Sequence, residues 1–138
     1  MAKEEQLKIY SAYLPYGLKF RFCHGCAITI MELHSVCFEK GVVNDNVYLD
    51  PQNIEPYLYP LEYLTREIEH EDKKIIPIEI IKLCCDEAHF KYIERFIYFE
   101  DSVSILPWWV IELLLEWHFN VFNLTEDQYI NKATLTNK

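Results

Sequence analysis

Three glycines in 138 residues, Gly17, Gly25 and Gly41, leave this chain short of the residue that lets a backbone turn freely or approach a phosphate closely. No Gly-rich phosphate loop occurs, nor a His-Glu-x-x-His or Gly-x-Ser-x-Gly pattern, so the common signatures of nucleotide binding, metalloproteolysis and serine hydrolysis are missing. Only an active site built without a motif stays open, and the expectation is a protein that is not an enzyme and carries no cofactor. Basic residues are also scarce: 13 Lys and Arg stand against 22 Asp and Glu, a formal net charge of −9. Such a surface repels phosphate backbones, so direct DNA binding is not expected. Nor is there an apolar run fit to span a bilayer. The longest stretch, Val103 to Phe122, is broken by Pro107, Glu112, Glu116 and His118, and carboxylates at membrane depth are costly.

What the chain does hold is core-forming material. Apolar residues make up 51% and aromatics 15%, far from the composition of a disordered segment. The length fits one domain able to fold without disulfides or metal. The five cysteines are an odd number, and the polar start (Ala2 to Lys8) has no secretory pattern; together they predict a reducing cytoplasm. Charge is uneven: residues 1–60 carry five basic and seven acidic side chains, residues 61–138 eight basic and fifteen acidic. The second half therefore holds −7 of the −9, which would draw it to a basic protein surface. Solubility alone is the commoner reason for such an imbalance.

Periodicity predicts a helix over Glu4 to Leu14, a half-buried strand over Leu18 to Cys23 and a turn at His24-Gly25. A returning strand follows from Cys26 to Leu33, with further strands at Val36 to Val43 and Val47 to Leu49 around the turn Asn44-Asp45-Asn46. Asp50-Pro51 opens a loop containing Pro56 and Pro60. Helices are predicted near 61–69, 78–85 and 107–121, while Phe90 to Phe99 fits both periods and leans to strand on its aromatic content. The fold class expected is α+β: a small antiparallel sheet packed by three to four helices in a single domain, with a loosely held polar tail from about Thr125. The helix from Pro107 has one polar stripe, Glu112, Glu116 and Asn120. Trp109 and Trp117 share its apolar face, which leaves Trp108 as the tryptophan expected to stay accessible.

Candidate chemistry is thin. Cys23-His24-Gly25-Cys26 is half of a zinc knuckle, and Cys84-Cys85 with His89 could supply the rest, but adjacent cysteines point apart and no second Cys-x-x-Cys exists. Buried free thiols are the plainer expectation, and no metal ligand is assigned. Cys23 with His24, and Cys37 with His34, are too close in sequence for a nucleophile–base pair. Glu112 and Glu116 lie one helical turn apart, the spacing of an ordinary solvated stripe.

Four stretches carry a resemblance. They are Leu14-Pro-Tyr-Gly-Leu-Lys19; Tyr59-Pro-Leu-Glu-Tyr-Leu-Thr-Arg-Glu-Ile-Glu-His70; Ile76-Pro-Ile-Glu79; and Leu106-Pro-Trp with Leu115-Glu-Trp-His-Phe-Asn-Val-Phe-Asn-Leu124. In that order the chain resembles a family of small uncharacterised proteins of bacterial phages, prophages and mobile elements, though its ending departs from the Ala-Ile-Asp type frequent there. The resemblance implies a context, the host cytoplasm and host defences, without assigning any residue a role. The resulting expectation is a protein-binding inhibitor or modulator, such as an anti-CRISPR protein, whose partner is a basic nucleic-acid-binding host protein. The expected contact residues are Glu62, Glu67, Glu69, Glu71 and Asp72, with Trp108 as an aromatic anchor. A structural or assembly protein of a phage and a zinc-stabilised interaction module are the alternatives, and oligomeric state is left open.

Overall fold

The computed structural model describes residues 2–24, 27–37, 41–44, 47–99 and 106–135, the side chains of 23, 24, 27, 42–44, 47 and 97–99 excepted. Its chain order is α1 (Lys3–Tyr13), β1 (Lys19–His24), β2 (Ala27–Glu32), β3 (Ser35–Cys37), β4 (Gly41–Asn44), β5 (Val47–Leu49) and β6 (Ile54–Leu58). A 3-10 turn at Leu61–Thr65 leads to β7 (Ile68–His70), β8 (Lys73–Ile75), α2 (Pro77–Leu83), α3 (Glu87–Phe99), α4 (Trp108–Glu116) and β9 (Ile130–Asn131). The class is α+β. The strands, however, do not form one antiparallel sheet: the main sheet is mixed, ordered β2-β1-β6-β9, and β3-β4-β5 and β7-β8 form two small sheets of their own.

The first hairpin obeys its alternation. Phe20 is fully buried and Phe22 partly so, while Arg21 on the other face donates to Glu55 across the sheet at 2.7 Å. Gly17 ends the 3-10 turn after α1 at φ 66°, where a Cβ would lie 2.8 Å from Glu32 Oε1. Parts of the two expected turns, Gly25 with Cys26 and Asp45 with Asn46, fall outside the described residues.

Several expectations require correction. The single strand expected over Val36 to Val43 is instead two, Ser35–Cys37 and Gly41–Asn44, paired antiparallel to each other. The stretch after Asp50 is not simply a loop, because Ile54–Leu58 is a strand inside the main sheet, antiparallel to β1 and parallel to β9. Pro56 masks it in the sequence, although Ile54, Tyr57 and Leu58 are all buried. Phe90 to Phe99 is helical: Phe90, Ile93 and Phe96 are buried on one face, and the Asp86 carboxylate accepts from His89 N at 2.8 Å to cap the helix. Residues 61–69 are not one helix. After the 3-10 turn Arg66 is extended, and Ile68 is buried where it pairs with Ile75 in the β7-β8 hairpin. The last helix stops at Glu116 rather than Val121. His118 takes φ 62°, its N–H bonding to Leu115 O and that of Phe119 to Leu114 O, a Schellman ending with buried Leu114 and Phe119 at the positions that pack together.

This ending places the next residues in the core. Asn120, expected on the solvent stripe, is buried and clamps Leu124 through both backbone groups at 2.9 Å. Tyr59 N bonds to His118 O and Asn120 N to Tyr59 O, so residues 118–120 run beside the end of β6. The polar segment after Thr125, expected to be loosely held, supplies β9 to the main sheet. Among the described residues no helix is long and apolar enough to cross a membrane.

Candidate functional site

Polar groups gather in two places, one buried and one exposed. The buried one centres on His118, which the sequence hides inside an apolar run. Its Nε2–H donates to Tyr16 O at 2.6 Å, and Nδ1 accepts from the Lys132 ammonium, which fixes a neutral imidazole in one tautomer. Burial, then the nearby Lys132 charge, pushes the His118 pKa down to about 3; burial, then Lys19, brings Lys132 down to about 8. The His70 ring meets His118 edge to face at 6.0 Å, and burial and Lys132 lower its pKa as well. Lys132 also sits over the Tyr59 ring, whose hydroxyl donates to Glu69 O at 2.9 Å. The Tyr13 hydroxyl donates to Phe119 O and accepts from Val121 N.

These bonds tie the end of α1 to the turn that closes α4, and the C-terminal segment to that turn and to Tyr59. The cluster is a fastening. Tyr16, Tyr59 with His70, and His118 with Phe119, which lie far apart in the sequence, all meet there.

The exposed place runs along α4. Trp108, Glu112 and Glu116 are four residues apart and all exposed, so they form one stripe, with Trp108 65% accessible. Val110, Leu114 and Leu115 hold the opposite side in the core, and Trp117 is buried beyond the helix end while Trp109 is half-buried. Glu116 at the end of the stripe and Glu71 in the β7-β8 hairpin both act electrostatically on His70, opposing the lowering of its pKa by burial and Lys132. The hairpin turn is Glu71-Asp72, at φ 50° and 64°, between the paired residues His70 and Lys73. Two consecutive positive-φ residues make the mirror-image turn that favours Asn-Gly, so a Glu-Asp turn carries backbone strain in two charged, exposed residues.

Of the expected contact residues, Glu62, Glu67, Glu71 and Asp72 are exposed and Glu69 is half-buried. They do not form a uniformly acidic patch. Arg66, Lys73 and Lys74 are exposed among them, and Lys74 is the cross-strand partner of Glu69. Sequence counting by halves could not see that pairing, which depends on the hairpin register. What it also missed is that Trp108 begins the exposed stripe of Glu112 and Glu116, whose signal was the spacing 108, 112, 116.

Beside α4 lies a groove of about 540 Å³ lined by Cys84, Cys85, Asp86, His89, Tyr92 and Trp109, among others. Its Asp86–His89 pair, 2.6 Å apart, is explained by helix capping. Cys85 donates to Ile81 O at 3.4 Å, and desolvation, then Asp86, raises its pKa, which favours the thiol over the thiolate needed for metal or attack. Among the described residues no group of three or more His, Cys, Asp or Glu could hold a metal. The Cys23 side chain and Cys26, the other half of the expected knuckle, lie outside the described residues. Compared with known proteins, the chain matches no family model, no curated protein and no solved structure.

Proposed function

We propose that this chain is a non-enzymatic, protein-binding inhibitor or modulator encoded by a phage or mobile element, acting on a basic nucleic-acid enzyme of the host. One observation carries the proposal: the exposed stripe of Trp108, Glu112 and Glu116 on α4, with a second exposed acidic element in the strained Glu71-Asp72 turn. A large exposed aromatic beside carboxylates suits an interface in which the ring supplies affinity and the charges supply steering. Glu62, Glu67 and Glu69 extend the same acidic side, and the resemblance to small phage proteins supports anti-CRISPR activity as the biological setting. The interspersed Arg66, Lys73 and Lys74 assign the hairpin a register-setting part rather than bulk attraction.

The experiment is binding to, and inhibition of DNA cleavage by, a panel of purified CRISPR effector nucleases over a salt series. The wild-type chain is expected to bind one of them and inhibit it, more weakly as salt rises. Charge reversal at Glu62, Glu67, Glu69, Glu71 and Asp72 is expected to remove inhibition. Inhibition that survives reversal with its salt dependence intact would sink the electrostatic mechanism, and failure to bind any effector would sink the inhibitor assignment.

A further inference from the structure

β2 is the end strand of the main sheet, paired only on its β1 side among the described residues. The phase of that pairing is fixed by Leu33 N donating to Leu18 O at 2.8 Å, in the same register as Lys19↔Glu32 and Phe20↔Met31. Hydrogen-bonded and non-hydrogen-bonded pairs alternate along an antiparallel ladder. Phe20↔Met31, Phe22↔Thr29 and His24↔Ala27 are therefore the bonded pairs, and Ile28 and Ile30 turn their backbone N–H and C=O groups to the open edge. Their side chains are exposed as well, 64% and 48%. Soluble proteins normally protect such an edge with Pro, Lys, a bulge or a covering element. Residues 27–31 read Ala-Ile-Thr-Ile-Met, with neither charge nor proline.

We propose that the β2 edge pairs with the β2 edge of a second copy of this chain, antiparallel about a two-fold axis at Thr29. That register places Ile28 opposite Ile30 of the second copy and Thr29 opposite its own equivalent. Ile28 and Ile30 of each strand then complete their backbone bonds, and four isoleucines meet on one face. Charge selects a second copy as the occupant. A chain of net charge −9 meets itself at least cost through a segment without charge, in the half that carries five basic and seven acidic residues rather than the half that carries eight and fifteen. The two four-stranded sheets would join into one of eight strands, within the range that twisted sheets tolerate. Contact limited to one short strand per copy sits at the weak end of interface sizes, so dimerisation is expected at roughly 10–100 µM.

Sedimentation equilibrium over that range tests the proposal, independently of any host partner. The wild-type chain is expected to approach twice its 16.6 kDa mass. Ile30→Pro removes an outward N–H without touching the bonds to β1, so it is expected to stay monomeric with an unchanged circular dichroism spectrum. Should Ile30→Pro fail to fold, Ile28→Lys/Ile30→Lys changes only exposed side chains and is expected to be monomeric at every concentration. A wild-type chain that is monomeric throughout overturns the proposal. So does a dimer that persists in either folded variant, because it must then use another surface.

Discussion

The fastening around His118 and the stripe that starts at Trp108 are joined by one short helix, yet they obey opposite rules. Around His118 the polar groups bond inward: Tyr16 O and the Tyr13 hydroxyl reach across most of the sequence to His118 and Phe119, and Lys132 closes the other side of the imidazole. Along the stripe, Trp108, Glu112 and Glu116 face outward, and no packing explains the tryptophan. The difference teaches which side chains the fold requires. Leu115-Glu-Trp-His-Phe119 closes the fold through His118 and Phe119, whereas Trp108, Glu112 and Glu116 are side chains that the fold leaves free.

The sharpest way to break this contrast is His118→Ala. It strips two hydrogen bonds, leaves the half-buried Lys132 ammonium without its acceptor and puts a Cβ-bearing residue with no compensating contact at positive φ. A loss of about 3 kcal/mol in urea unfolding is expected. His118→Asn, which tolerates the left-handed conformation better, should lose less.

Acid should act through the same residue. A neutral imidazole whose folded pKa is about 3, against 6.5 for the free side chain, means that the unfolded chain binds the proton more tightly. Stability is therefore full above about pH 6.5 and falls as pH drops towards 3. The loss amounts to a few kcal/mol, because each tenfold difference in proton affinity is worth about 1.4 kcal/mol. His70 moves in the same direction. In the His118→Asn chain the acid branch of the stability curve should flatten; an unchanged branch would assign the effect elsewhere.

A smaller effect sharpens the other side of the contrast. Replacing Glu71-Asp72 by Asn-Gly suits the observed turn and is expected to stabilise the chain by about 1 kcal/mol in thermal unfolding. If those carboxylates serve binding, the same change weakens inhibition while it strengthens the fold. Least of all, Trp108→Ala should shift unfolding by under about 0.5 kcal/mol, since the side chain is mostly in water.

Much of the fold was legible from local pattern. The helix around Leu7 and Tyr10, the alternation of Leu18, Phe20 and Phe22, and the short helix after Pro77 all follow from spacing. What escaped depended on distant partners. Ile54 to Leu58 is a strand because β1 and β9 flank it, and no local signal outweighs Pro56. Phe90 to Phe99 is a helix because one face is buried, against the strand preference of its aromatics; the capping Asp86 was the available clue. Asn120 continues the stripe of Glu112 and Glu116 only while His118 is counted as helical. Of the site, the acidic residues, Trp108 and the mixed sign of His70 to Lys74 could be read from sequence, but the pairing of Glu69 with Lys74 required the hairpin register.

The most direct measurement of the central claim is the affinity of Trp108→Ala for the effector nuclease that the wild-type chain inhibits, taken with its urea midpoint. The account predicts that affinity falls by about 30-fold or more, the loss expected of an aromatic hot spot, with the midpoint unchanged. Wild-type affinity in the variant would contradict it and remove the α4 stripe from the binding surface.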